Sequence, residues 1–235
     1  MSESSSVTAG TEPTATAAHI VVQRTARFLL VGEPSPEVRE VWIALHGYGQ
    51  LAADFARAMA PVASAERLLV VPEALSRFYL ESPVRGTHMT ARVGATWMTR
   101  EDREAEIADH VAYLDALLER VLLSCAPGSP TTRVLGFSQG VATAARWLTR
   151  GTARTEHLIL WAGQLPDDVE ASQLVDQTRR TRLSYVWGRR DDLLTSASIT
   201  RTVERLSATG APFDELTFDG GHRLDRATLL DLAQA

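Results

Sequence analysis

Two stretches of this sequence, Val41-Trp42-Ile43-Ala44-Leu45 and Leu68-Leu69-Val70-Val71, are apolar at every position, and both are too short for a typical helix. A strand with one face in water alternates polar and apolar residues, whereas an unbroken apolar strand is buried on both faces, as in a parallel sheet covered by helices. The runs 131–135, 157–161 and 183–187 have a similar character, and 213–218 reads as a further strand. Helical patterns lie between them, over 51–65, from a start near Thr99 to about Ser124 with Ile107, Val111, Leu114, Leu118 and Val121 at helical spacing, over 141–148 and 199–208, with 224–232 closing the chain. Alternation of this kind predicts an α/β fold with a mainly parallel central sheet and helices on both faces. Residues 20–31 suit an extended segment or hairpin at a sheet edge, and Thr99 with Asp102 resembles a capping box before the long helix. Residues 74–96 show no period and read as an irregular, lid-like segment, since a loop of that length is usually functional.

Composition narrows the function classes. With 235 residues the chain can bury one sizeable core, so 19–235 is expected to form a single domain. Residues 1–18, rich in Ser, Thr and Ala, read as a disordered tail with no secretory signal. The net charge of -5 argues against a nucleic-acid partner, and no apolar run is long enough to predict stable membrane insertion. All 24 basic side chains are arginine, which excludes a Schiff-base lysine, a Ser-Lys dyad and a P-loop lysine. The single cysteine, Cys125, cannot form an internal disulfide and is expected to be packed, so a cytoplasmic location is expected. Six scattered histidines with no H-E-x-x-H give no metal site, and no cofactor is expected.

The chemistry centres on Gly136-Phe137-Ser138-Gln139-Gly140, placed between a predicted strand and a predicted helix. A serine on such a turn holds its hydroxyl out of the sheet at the positive end of the helix, and the flanking glycines let the two elements close on each other. The bland alternative is an ordinary strand-to-helix turn. A serine hydroxyl needs a base and a carboxylate to orient that base. His222, just past the strand 213–218, is the candidate base, because His157 opens a strand and falls at the wrong end of the sheet. The acid should follow the strand ending at Trp187, where Asp191 is favoured over its neighbour Asp192. Two backbone N–H groups would receive the developing oxyanion, that of Gln139 and that of Tyr48 in His46-Gly47-Tyr48-Gly49, with His46 buttressing the loop. Phe78, Tyr79, Met89 and Trp97 are candidate substrate-binding residues, with core filling as the bland reading of Trp97.

Together, His46-Gly47-Tyr48-Gly49, Gly136-Phe137-Ser138-Gln139-Gly140, Gly188-x-x-Asp191 and Gly221-His222 resemble the α/β-hydrolase fold. Within it the chain is most similar to the small carboxylesterases, phospholipases and acyl-protein thioesterases. The resemblance implies a Ser138, Asp191, His222 triad, an oxyanion hole from Tyr48 and Gln139, and a small-molecule ester or thioester substrate. The chain departs from acyl-protein thioesterases at Gln50 and Val141, where they carry Asp and Gly. Acyl transfer to an acceptor other than water uses the same residues, and both monomer and homodimer remain open. Two other readings compete. Gly47-Tyr48-Gly49-Gln50-Leu51-Ala52 fits a dinucleotide fingerprint with Glu73 as the ribose acid, and a hydrolase-like fold can bind ligands without catalysis.

Overall fold

The computed structural model describes residues 15–81, 90–125, 130–177 and 182–235. The expected tail up to residue 14, and Met89, lie outside them. Seven strands form one sheet: β1 (Phe28–Val31), β2 (Glu40–Leu45), β3 (Arg67–Pro72), β6 (Thr131–Phe137), β7 (His157–Trp161), β8 (Arg182–Gly188) and β9 (Asp214–Phe218). Their order is β1-β3-β2-β6-β7-β8-β9, with β1 antiparallel at the edge and every other pairing parallel. Of the extended segment expected over 20–31, only four residues pair as a strand.

The apolar runs are strands because successive side chains enter two different cores. Val41, Ile43 and Leu45 of β2 join the cluster formed with α2 (Arg103–Cys125), α3 (Gln139–Arg150), α4 (Ala171–Gln177) and α5 (Ser196–Ser207). Trp42 and Ala44 point the other way, against α1 (Ala52–Met59) and α6 (Arg226–Gln234). Helix α2 buries Ile107, Val111, Leu114, Leu118 and Val121, the spacing that predicted it. Its start differs from the expected capping box, because the Thr99 N–H donates to Glu106 Oε2 at 2.5 Å.

Within 74–96 the described residues include two short paired strands where the sequence shows no period. Strand β4 (Ser76–Tyr79) pairs antiparallel with β5 (Val93–Thr96), Ser76 opposite Thr96 and Tyr79 opposite Val93. Four-residue strands carry too few side chains to show a period, and Gly94 lowers the local strand propensity. Helix α4, only seven residues long, was likewise not predicted.

After β2 the chain moves outward to β3, and it later returns to the opposite side of β2 as β6. In a parallel α/β sheet such a reversal opens a crevice beyond the carboxyl ends of the two strands, because their loops diverge to opposite sides. The loops leaving β2 and β6 there are His46-Gly47-Tyr48-Gly49 and the turn at Ser138.

Candidate active site

Ser138 joins β6 directly to α3 with φ 55° and ψ -116°, a conformation that L-residues avoid. The structure holds it there through its N–H, which donates to Trp161 O at 2.8 Å, and its carbonyl, which accepts from Val141 N–H at 3.0 Å. The glycines on either side follow from close approach. A Cβ on Gly136 would overlap the Gly140 carbonyl, and one on Gly140 would overlap the Leu45 carbonyl of β2. The turn is thus wedged into the crevice with its serine half-buried.

The loops after β8 and β9 are laced together by Arg189 N–H to Phe218 O and Arg190 N–H to Gly220 O, both 2.9 Å. Gly188 has no room for a side chain, since a Cβ would meet the Gly220 carbonyl. This lacing brings Asp191 Oδ2 to 2.8 Å from His222 Nδ1. Asp191 Oδ1 accepts the N–H groups of Leu193 and Leu194, each at 3.0 Å. The Asp191 side chain is fully buried, whereas Asp192 is exposed. With Nδ1 donating to the carboxylate, the neutral ring carries its free lone pair on Nε2. The imidazole packs against the ring of Phe137, centroids 5.0 Å apart, one residue before Ser138.

The loop after β2 crosses the elbow closely enough that a Cβ on Gly47 would come within 3.1 Å of Ser138 Cβ. Its shape is fixed by Gly47 N–H to Gln50 Oε1 at 2.8 Å and by His46, whose Nδ1 donates to Gly47 O at 2.7 Å. His46 Nε2 accepts from Ala74 N–H at 3.1 Å, which assigns the tautomer. Burial lowers the pKa of this imidazole, outweighing the bond to Gly47 O, and keeps it neutral in its structural place. Among the described residues, neither the Tyr48 N–H nor the Gln139 N–H donates a hydrogen bond. Two unengaged backbone donors beside a half-buried serine can receive an anionic oxygen.

The predicted substrate-binding residues separate. Phe78 packs its ring on Tyr48 at 5.1 Å, and Tyr79 is exposed on the same hairpin. Trp97 has its bland reading, for it is 3% exposed and donates Nε1–H to His46 O at 2.9 Å. Glu73 is the residue whose work the sequence hid. Its buried carboxylate accepts Arg27 at 2.6 Å, Arg77 at 2.5 Å and the Ala52 N–H at 3.2 Å. Burial alone would raise its pKa, but the two guanidiniums and the Ala52 N–H hold it below the usual carboxylate range. The carboxylate required for a dinucleotide's ribose is therefore spent inside the protein, at the start of α1. Cys125 is buried, as expected. Among the described residues no group of His, Cys, Asp or Glu could hold a metal ion, and no helix is long and apolar enough to cross a membrane.

Comparison with solved structures finds the same fold at low identity. Acyl-protein thioesterase 2 of Zea mays superposes with a TM-score of 0.65 at 19% identity, covering 89% of this chain and 97% of that one. A phospholipase/carboxylesterase from Dyadobacter fermentans gives 0.62 at 15% identity, with 90% and 96% covered. The Bacillus cereus carboxylesterase gives 0.61 at 14%, with 89% and 92% covered. No curated protein matches the sequence. The sequence profile of the phospholipase/carboxylesterase family matches residues 27–234, nearly the whole described fold. The chain therefore belongs to the phospholipase/carboxylesterase family, with the α/β-hydrolase fold.

Proposed function

We propose that the protein is a serine hydrolase that cleaves carboxylic esters or thioesters through an acyl-enzyme. The observation that carries this reading is the 2.8 Å pairing of Asp191 with His222, whose imidazole rests on the residue preceding a strained Ser138. His222 Nε2 takes the Ser138 hydroxyl proton as Oγ attacks the substrate carbonyl carbon. The carbonyl oxygen becomes an oxyanion and is met by the N–H groups of Tyr48 and Gln139. Collapse breaks the bond to the alcohol or thiol, which leaves with the proton from His222. Water then repeats the sequence on the acyl-serine and restores the enzyme. Asp191 holds the imidazole in the required tautomer and stabilises its cation, a task for which its buried, doubly hydrogen-bonded position suits it. Phe78 and Tyr79 supply an apolar surface for the acyl or leaving group.

The test is labelling with a fluorophosphonate, followed by turnover of p-nitrophenyl esters of graded chain length and of one acyl thioester. Covalent modification at Ser138, lost in Ser138→Ala and His222→Ala, is expected. A folded protein that neither labels nor turns over any of these would refute the reading. Transfer of the acyl group to an added alcohol or amine in preference to water would identify an acyltransferase.

A further inference from the structure

Strand β5 touches both loops that carry the candidate oxyanion donors. On one side the Gly49 N–H donates to Ala95 O at 2.9 Å and the Ala95 N–H donates to Gln50 O at 3.2 Å, so β5 pairs with the loop bearing Tyr48. A Cβ on Gly94 would overlap the backbone of Gly49, so the two chains lie in direct main-chain contact. On the other side the Gln139 side chain reaches to the end of the same strand. Its Nε2 donates to Met98 O and to Thr96 Oγ1, both at 2.9 Å, and its Oε1 accepts the Trp97 N–H at 3.1 Å. The amide orientation is settled chemically, because Met98 O can only accept and Trp97 N–H can only donate. Every hydrogen-bonding atom of the Gln139 carboxamide is thereby committed to one short segment, and Thr96 is itself buried.

We propose that β5 is a spacer that sets the separation of the Tyr48 and Gln139 N–H groups, and that the Gln139 side chain is the positioning group that clamps it to the nucleophile turn. This rests on the hydrolase reading given above. Oxyanion stabilisation requires two donors fixed at a distance matched to a tetrahedral centre, and a small displacement weakens both bonds at once. The two donors here sit on loops after different strands, so neither loop alone determines their spacing. The residues tying the loops together are Gly49, Gln50, Ala95, Thr96, Trp97, Met98 and, across the gap, the Gln139 carboxamide. The side chain of Gln139 thus acts through the segment it holds, while its backbone N–H survives any substitution at that position except proline.

The experiment compares wild type with Gln139→Leu, Thr96→Val and Thr96→Ser, each first shown folded by its thermal midpoint. Steady-state ester hydrolysis is measured together with the affinity for a trifluoromethyl ketone, which forms a tetrahedral oxyanion on the serine. For Gln139→Leu, kcat should fall about 10- to 100-fold with KM nearly constant, and the ketone affinity should weaken in parallel, as for loss of a transition-state interaction. Thr96→Val should move in the same direction, and Thr96→Ser, which keeps the hydroxyl, should restore most of the rate. An unchanged kcat in folded Gln139→Leu, or a loss confined to KM with the ketone affinity intact, overturns the spacer assignment and leaves the hydrolase reading standing. Failure of the wild type itself to label with a fluorophosphonate overturns both.

Discussion

The strained backbone at Ser138 predicts that the candidate nucleophile lowers the stability of the fold. At φ 55° and ψ -116° a residue with a Cβ is held in a region where such strain costs on the order of 1–3 kcal/mol, and only glycine avoids that cost. Ser138→Ala removes the hydroxyl and keeps the Cβ, whereas Ser138→Gly removes both. The difference between the two variants therefore isolates the strain from the loss of the oxygen. Glycine's greater freedom in the unfolded chain offsets about 0.5–1 kcal/mol of the relief. With the strain at the middle of its range, about 2 kcal/mol, a net gain of about 1–1.5 kcal/mol remains for glycine over alanine, or roughly 2–6 °C in Tm for a chain of this size. Both variants should lose turnover by several powers of ten. The assay is urea or thermal unfolding of the two variants side by side, with the slope m checked for constancy. A glycine variant no more stable than the alanine variant would show that the backbone stores no such strain.

Three further outcomes follow from particular contacts. Asp191→Asn should lower kcat by about 10⁴ through the wrong imidazole tautomer, while the exposed Asp192→Asn should stay near wild type in the same ester assay; the reverse pattern would overturn the assignment of the acid. His110 and His157 are buried, and burial first, then neighbouring arginines, lower the pKa of each to about 4. Because the unfolded imidazoles titrate near 6.5, the unfolded state binds more protons between those values, so stability is full above about pH 6.5 and falls as pH drops towards 4. The loss should reach about 3 kcal/mol per histidine, and His157→Gln should flatten the slope of stability against pH measured by urea unfolding; an unaltered slope would remove His157 from the account. Glu73→Gln should lower the urea midpoint by the equivalent of about 2 kcal/mol, since it weakens charge-assisted bonds from Arg27 and Arg77 and places an amide where four N–H donors converge; an unchanged midpoint would contradict the buried hub.

The legible parts of the fold were those whose side chains report their surroundings. Strands β2 and β3 were plain because both faces are covered, and α2 was plain because one stripe of it is. The hairpin of β4 and β5 left no such trace, since its strand state comes from pairing with each other and with the loop at Gly49. At the site, the serine turn and His222 were readable from glycine spacing and position relative to the strands. Trp97 stood between a substrate contact and core filling, because an apolar ring in an aperiodic stretch gives no sign of whether it faces a ligand or the core; in the structure it is 3% exposed.

The sequence by itself determined the α/β class, the succession of most strands and helices, and the strand ends at which the candidate site residues emerge. These are local quantities, carried by periodicity and by residues that tolerate or forbid a sharp turn. Only the tertiary structure decided which aspartate faces the imidazole, because Asp191 and Asp192 differ by the direction of one bond after Gly188, set by hydrogen bonds to a loop thirty residues away. The same holds for Glu73 and for the Gln139 carboxamide, whose partners lie on other elements and become neighbours only when the sheet is assembled.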